Sequence, residues 1–217
     1  MLNCTLKKSP DESNTQALLD RIARLFDEHG VTAESVRCVD FVIEPGVMPT
    51  ALSDADEWPT MLKRVKAADI LVMATPTWFG HRSSVCQRVL ERLDGSLSET
   101  DDLGQTPFFG KVAGVVITGN EDGAHHIAEG VLFNFTHLGF TIPPMVDCYW
   151  NGPSGPGKSY IAAGGQHHTY TNKTARYMVA GLVHMAHALI SSPFRTNYSD
   201  LANQAQAESD PAKQQFI

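Results

Sequence analysis

The feature that most restricts how this chain can fold is a pair of uninterrupted apolar runs, 70-ILVMA-74 and 112-VAGVVI-117. Each breaks into a polar loop containing glycine, 75-TPTWFG-80 and 118-TGNEDG-123. A strand that is apolar on both faces must be covered on both faces, which is the situation of a central strand in a parallel sheet clad by helices. The intervening segments supply the helices. In 13-SNTQALLDRIARLFDEHG-30, Ser13 and Gln16 have the spacing of a capping box, Leu18, Ile22, Leu25 and Phe26 form one face, and Gly30 is a stop. Ser53 to Lys66 is predicted as a helix with Asp54, Asp56 and Glu57 in its first turn and an apolar stripe of Trp58, Met61, Leu62 and Val65. Further helices are predicted over 82–95, Ala124 to Leu138 and 172–190, and further strands over 2–7, 35–43 and 141–148. Strands alternating with helices predict right-handed crossovers, hence a doubly wound α/β fold with a five-stranded parallel sheet in the order 2-1-3-4-5 and helices on both faces.

At 217 residues the chain suits one domain with a core on each side of the sheet. Residues 1–190 are assigned to that domain and 191–217 to a polar tail, either a free end or an arm packing on a neighbouring subunit. Only about four residues precede Thr5, fewer than a central strand normally has, so the first strand is expected to be trimmed or to begin upstream of Met1.

The formal net charge of −7 and the lack of a Lys/Arg run argue against nucleic acid or an anionic membrane as partner. Cys4, Cys38, Cys86 and Cys148 are widely spaced without a CxxC, which suits reduced, buried thiols. No run approaches the roughly 18 apolar residues of a membrane span, and a cytoplasmic location is expected.

One stretch points elsewhere: 152-GPSGPGKS-159 spells GxxxxGK[ST], the phosphate-binding loop of many ATPases and GTPases. Such a loop needs a helix directly after it and a later strand ending in a magnesium-binding Asp. Here Gly164 and Gly165 interrupt the following segment, Pro153 and Pro156 remove two N–H donors, and no apolar strand follows. A nucleotide hydrolase is therefore the remote alternative.

In a doubly wound sheet the ligand lies beyond the C-terminal ends of the strands. Three junctions meet there. In 5-TLKKSPDESNT-15, Thr5, Ser9, Ser13, Asn14 and Thr15 with Lys7 and Lys8 precede a helix N-terminus, the composition of a monoester-phosphate site or, alternatively, of plain capping. In 75-TPTWFGHR-82, Trp78 and Phe79 follow the central strand, where either a planar ligand or a subunit contact would cover them. In 118-TGNEDGAHH-126, Gly119 and Gly123 permit close backbone approach. A phosphate seat with two loops able to hold a flat ring describes FMN better than a dinucleotide. Asp40 lacks the GxGxxG that a Rossmann ribose site requires, no histidine pair has metal-ligand spacing, and no GxSxG elbow occurs.

At these junctions the sequence resembles the flavodoxin-like NAD(P)H-dependent FMN reductases and quinone reductases. Thr5, Lys7, Ser13, Asn14 and Thr15 match the family's phosphate loop, with Cys4 where glycine is usual and Lys7 where arginine is frequent. Pro76, Thr77, Trp78, Phe79 and Gly80 match the loop against the isoalloxazine ring, and Thr118, Gly119, Asn120, Glu121, Asp122 and Gly123 look like the third flavin loop. The resemblance implies a flavodoxin-like fold, FMN as cofactor, NADPH or NADH as reductant with hydride delivered to flavin N5, and a quinone or similar small acceptor. It also implies a homodimer or homotetramer. Catalysis would need no acid–base side chain, although His81 or His125 could donate a proton to a reduced acceptor; Trp150 and Lys158 are expected to shape a lid over the nicotinamide or acceptor site. The alternative is a flavodoxin-like electron carrier or binding module without turnover, which the scattered acidic residues make the weaker reading.

Overall fold

The computed structural model describes residues 1–153, 155 and 157–209. The chain runs β1 (Leu2–Asn3), α1 (Asn14–Glu28), β2 (Val36–Arg37), α2 (Trp58–Ala67), β3 (Ile70–Trp78), β4 (His81–Arg82), α3 (Ser84–Asp94), β5 (Val112–Thr118), α4 (Ala124–Leu138), β6 (Asp147–Trp150), α5 (Thr169–Ser191) and α6 (Tyr198–Glu208). The sheet order is β2-β1-β3-β5-β6, all parallel, with β4 folding back antiparallel on the end of β3. Leaving aside that two-residue hairpin arm, this is the predicted flavodoxin-like order.

The two apolar runs become β3 and β5, and their pairing from Ile70↔Val112 to Pro76↔Thr118 is the longest ladder in the sheet. Alternate residues serve opposite cores, because strand side chains alternate in direction. Leu71, Met73, Val115 and Ile117 join the core under α2, α3 and α4; Val72, Ala74, Val112 and Val116 join the core under α1 and α5. At the start of α1, Ser13 Oγ accepts the Gln16 N–H, as the cap requires. Gln16 does not return the bond to Ser13; its amide joins Asn3 and Asp20 instead.

Several boundaries depart from the sequence pattern. The helix predicted from Ser53 starts at Trp58, because the Asp56 carboxylate accepts N–H bonds from Leu52 and Trp58 and pairs with Arg92 of α3 at 2.6 Å. Asp54, Asp56 and Glu57 thus precede the helix. The strand expected over 35–43 shrinks to two residues and passes into a 3-10 turn at Cys38–Asp40. The last strand begins only at Asp147, since Pro143 and Pro144 have no N–H to give the ladder and Thr141 manages a single bridge to Val112.

The four cysteines are buried and unbridged. Burial pushes the Cys4 thiol well up and the Cys148 thiol to about 12, so neither is reactive at neutral pH. Within the segment after α5, α6 lies against its own chain. Tyr198 N–H donates to Leu103 O, Gln105 Nε2 donates to Thr196 O, and Phe109 meets Phe194 and Tyr198 edge-on. The rest of the predicted tail, 210–217, is outside the described residues. Among the described residues no helix is long and apolar enough to cross a membrane.

Candidate functional site

The three junctions picked out in the sequence converge at the C-terminal ends of β1, β3 and β5 around a cleft of about 310 Å³. The first contributes Thr5, Leu6, Lys7, Ser13, Asn14 and Thr15; the second Pro76, Thr77 and Trp78; the third Thr118, Gly119 and Asn120. An apolar cavity of about 370 Å³ lies at the opposite end of the sheet, beside Phe26, Val36 and Val65, away from every one of these groups.

Several of the polar side chains expected as ligands also hold the cleft together. Ser13 caps α1, so the capping alternative is realised for that residue. Asn14 Oδ1 accepts the Ile161 N–H at 2.9 Å, and the hydroxyls of Thr15 and Thr118 are 2.8 Å apart, tying the first loop to the third. The first junction offers a ligand the opening turn of α1, whose N–H groups at Asn14 and Thr15 have no acceptor within the helix, Lys7 beside it, and the hydroxyls of Thr5 and Ser13, which accept backbone N–H bonds and keep their own protons to donate.

Two residues that sequence reasoning did not assign hold this loop in place. Arg37 Nη1 donates to the carbonyls of Lys7, Lys8 and Asp11, and the Asp40 carboxylate accepts from Ser9 N and Oγ at 2.8 and 2.6 Å. Desolvation is the largest single influence on Asp40 and opposes its ionisation, but the two Ser9 hydrogen bonds, Arg37 and Lys8 together outweigh it and hold its carboxyl below the usual range. The acid that in sequence sat near a Rossmann ribose position is a loop anchor.

The second and third loops interlock. Gly123, at φ +127°, lies so close to Gly80 that a Cβ there would sit 2.5 Å from the Gly80 carbonyl oxygen. Next to this contact Glu121 Oε1 accepts the Phe79 N–H at 3.0 Å and holds Phe79 in the left-handed region at φ +50°. Trp78, which lines the cleft, is 53% exposed, and Phe79, 92% exposed, follows it outside the lining, as do Gly80, Glu121, Asp122 and Gly123. Thr77 is only 4% exposed, and its hydroxyl has no hydrogen-bond partner among the described residues. A buried polar group without a partner is costly, and this one lines the cleft, where a ligand would satisfy it.

These features fit FMN. A helix N-terminus and a lysine suit a phosphate, an orphaned hydroxyl suits a polar edge, and an exposed aromatic suits a planar ring.

Other expected residues fall outside the lining. His81 packs edge-on against His126, with ring centroids 5.0 Å apart, at a neighbouring surface hollow. His125 Nε2 lies 3.0 Å from Tyr149 OH, which donates to Tyr170 OH; that bond first, then burial, pushes the Tyr149 phenol up to about 12. Trp150 cannot be part of a lid: it is 4% exposed, packed in the core edge-on to Tyr160. Lys158 is exposed beside the cleft, while Ser154 and Pro156 of the same loop are outside the described residues. Ser159 and Tyr160, missed in the sequence, form part of the cleft wall. Ser159 closes the motif at 152–159 and Tyr160 follows it, which is the signal the sequence held for them.

A family model described as NADPH-dependent FMN reductase matches residues 2–153. An 8-demethyl-8-aminoriboflavin-5'-phosphate synthase from Streptomyces davaonensis is 39% identical over 218 residues, 97% of this chain and 85% of the relative. A divalent metal cation transporter MntH from Mycobacterium bovis is 42% identical over 193 residues, 87% of this chain; the match covers only 28% of that protein. Among solved structures, RosB with the bound intermediate 8-demethyl-8-formylriboflavin-5'-phosphate superimposes with a TM-score of 0.89 at 39% identity, covering 97% of this chain and 86% of that one.

Proposed function

The chain belongs to the NADPH-dependent FMN reductase family, and we propose that it binds FMN in the cleft between the three loops, takes hydride from NADPH or NADH, and reduces a quinone-like small acceptor. The observation that carries this reading is the meeting of an α1 N-terminus, the orphaned Thr77 hydroxyl and the exposed Trp78 ring around one cleft. When bound, FMN supplies the hydride-accepting N5 and the electron store. The protein supplies position: the first turn of α1 and Lys7 hold the phosphate, Trp78 borders the ring, and the Glu121 bond to Phe79 N–H fixes the ring loop.

A second reading has its own support. The Streptomyces relative is named for making a modified riboflavin phosphate, and RosB holds a flavin intermediate. In this chain the flavin phosphate would then be substrate, not cofactor.

Anaerobic titration of the FMN-loaded protein with NADPH and NADH tests the first reading, and incubation of the protein with FMN in air with an amino-group donor, followed by mass spectrometry of the flavin, tests the second, since the conversion from methyl through formyl to amino needs an oxidant and a nitrogen source. Bleaching of the blue flavin band with recovery of unaltered FMN is expected. A flavin of changed mass would establish the second reading. Reduction by dithionite but by neither nicotinamide would indicate a carrier, and a protein that ignores FMN would refute flavin binding altogether.

A further inference from the structure

The phosphate-motif look-alike ends on a segment, 157–161, that crosses from one wall of the cleft to the other. Gly157 O accepts from Asn120 Nδ2 at 2.8 Å, and Ile161 N–H donates to Asn14 Oδ1 at 2.9 Å. One anchor is in the third ligand loop and the other is the first residue of α1. Between them Ser159 and Tyr160 line the cleft alongside Lys7, Ser13 and Thr15. The strap is referenced to the core as well: Tyr160 is 2% exposed and its carbonyl accepts Gly165 N–H at 2.8 Å, while Ser159 O accepts Ala163 N–H at 2.8 Å.

A phosphate monoester presents three acceptor oxygens and close to two negative charges. The hydroxyl of Ser13 and the amide oxygen of Asn14 are already engaged in the cap and the strap, and Thr15 is paired with Thr118. In the first two of these bonds the side chain only accepts, so the Ser13 and Thr5 hydroxyls and the Asn14 amide nitrogen remain donors beside the α1 N–H groups and Lys7, and a dianionic group with three oxygens has room for further donors from the opposite wall. The strap brings a serine hydroxyl to the same end of the cleft, with the exposed Lys158 next to it.

We propose that residues 157–161 complete the 5'-phosphate seat, Ser159 donating its hydroxyl to a phosphate oxygen and Lys158 adding positive charge at the rim. The strap thereby makes the cleft select a flavin phosphate over the unphosphorylated flavin. This rests on the flavin reading above. It also gives Lys158 a role in holding phosphate and not in covering a nicotinamide.

The test is titration of wild type, Ser159→Ala, Ser159→Thr, Lys158→Ala and the Ser159→Ala/Lys158→Ala double variant with FMN and with riboflavin, read by flavin fluorescence. Wild type should prefer FMN. Ser159→Ala should raise the Kd for FMN by about tenfold, the loss of one charge-assisted hydrogen bond, and leave riboflavin unchanged. Ser159→Thr should keep the preference, and the effect of Lys158→Ala should shrink as salt is raised. An FMN Kd unaltered in the double variant, or equal losses for the two flavins, overturns the strap and leaves flavin binding standing. So does a Lys158→Ala protein with weaker NADPH binding and intact FMN binding. A wild type that binds neither flavin refutes the functional reading itself.

Discussion

Replacing Gly123 with alanine tests whether the second and third loops act as one ring-holding unit. The added Cβ would lie 2.5, 2.6 and 2.7 Å from the O, Cα and C of Gly80, all backbone atoms that no rotamer change can move. Restoring ordinary contact, which begins at 3.4 Å, requires the two loops to part by about 0.9 Å. Alanine at φ +127° adds a conformational cost on the order of 1–3 kcal/mol. A displacement of about 1 Å in the groups that position a reacting ligand can cost about 10²-fold, so FMN affinity should fall by about 10- to 100-fold. Gly110→Ala separates the two effects: Gly110 has φ +79° and nothing within 4 Å of the place a Cβ would take, so it bears the conformational cost without the clash. Thermal melts should show a larger loss for Gly123→Ala than for Gly110→Ala, and fluorescence titration should show weakened FMN binding only for Gly123→Ala. Wild-type FMN affinity in Gly123→Ala would refute the idea that the interlock shapes the site.

Two further expectations concern the loop that leads into α2. Arg92→Met removes a guanidinium that contacts Asp56 at 2.6 Å, with both side chains fully buried, and that also bonds the carbonyls of Glu44, Met48 and Thr50. Leaving that carboxylate unpaired should lower stability by about 3–5 kcal/mol in urea unfolding, and Asp56→Asn added to Arg92→Met should recover part of the loss. Acid should act through the same pair. Burial alone would raise the Asp56 carboxyl, but hydrogen bonds from Leu52 N–H, Arg92 and Trp58 N–H outweigh it and hold it below its ordinary value of 3.8. A depressed folded value means the contribution is complete above the unfolded value and is lost as pH falls through the folded one. Urea midpoints of wild type should therefore drop on acidification below about pH 4, and those of Asp56→Asn should drop less.

What could be read in the chain, and what could not, follows the reach of the interactions. β3 and β5 were legible because burial on both faces leaves an unbroken apolar run, and α1 because its cap and stripe lie within a few residues of each other. The start of α2 was not, because Asp56 looks like a first-turn acid until Arg92, 36 positions later, claims it. The same limit governs the site. The three loops could be found one at a time, each as a local cluster of small, polar or aromatic residues after a strand. Their internal roles could not, since Asn14 answers to Ile161, Thr15 to Thr118, and Phe79 to Glu121.

The segment 152–159 shows both sides of this limit. Its spelling named phosphate, and its position excluded the nucleotide-binding fold in which that spelling normally functions. The fold then returns its last residues to the N-terminus of α1, where Ile161 meets Asn14 across 147 positions of sequence and where a phosphate site had been read independently. A lysine and a serine beside a helix N-terminus have the same chemistry toward a phosphate whichever chain path delivers them. If Ser159 and Lys158 hold the phosphate as proposed, the motif is misleading about architecture and informative about chemistry, and only a contact distant in sequence separates the two.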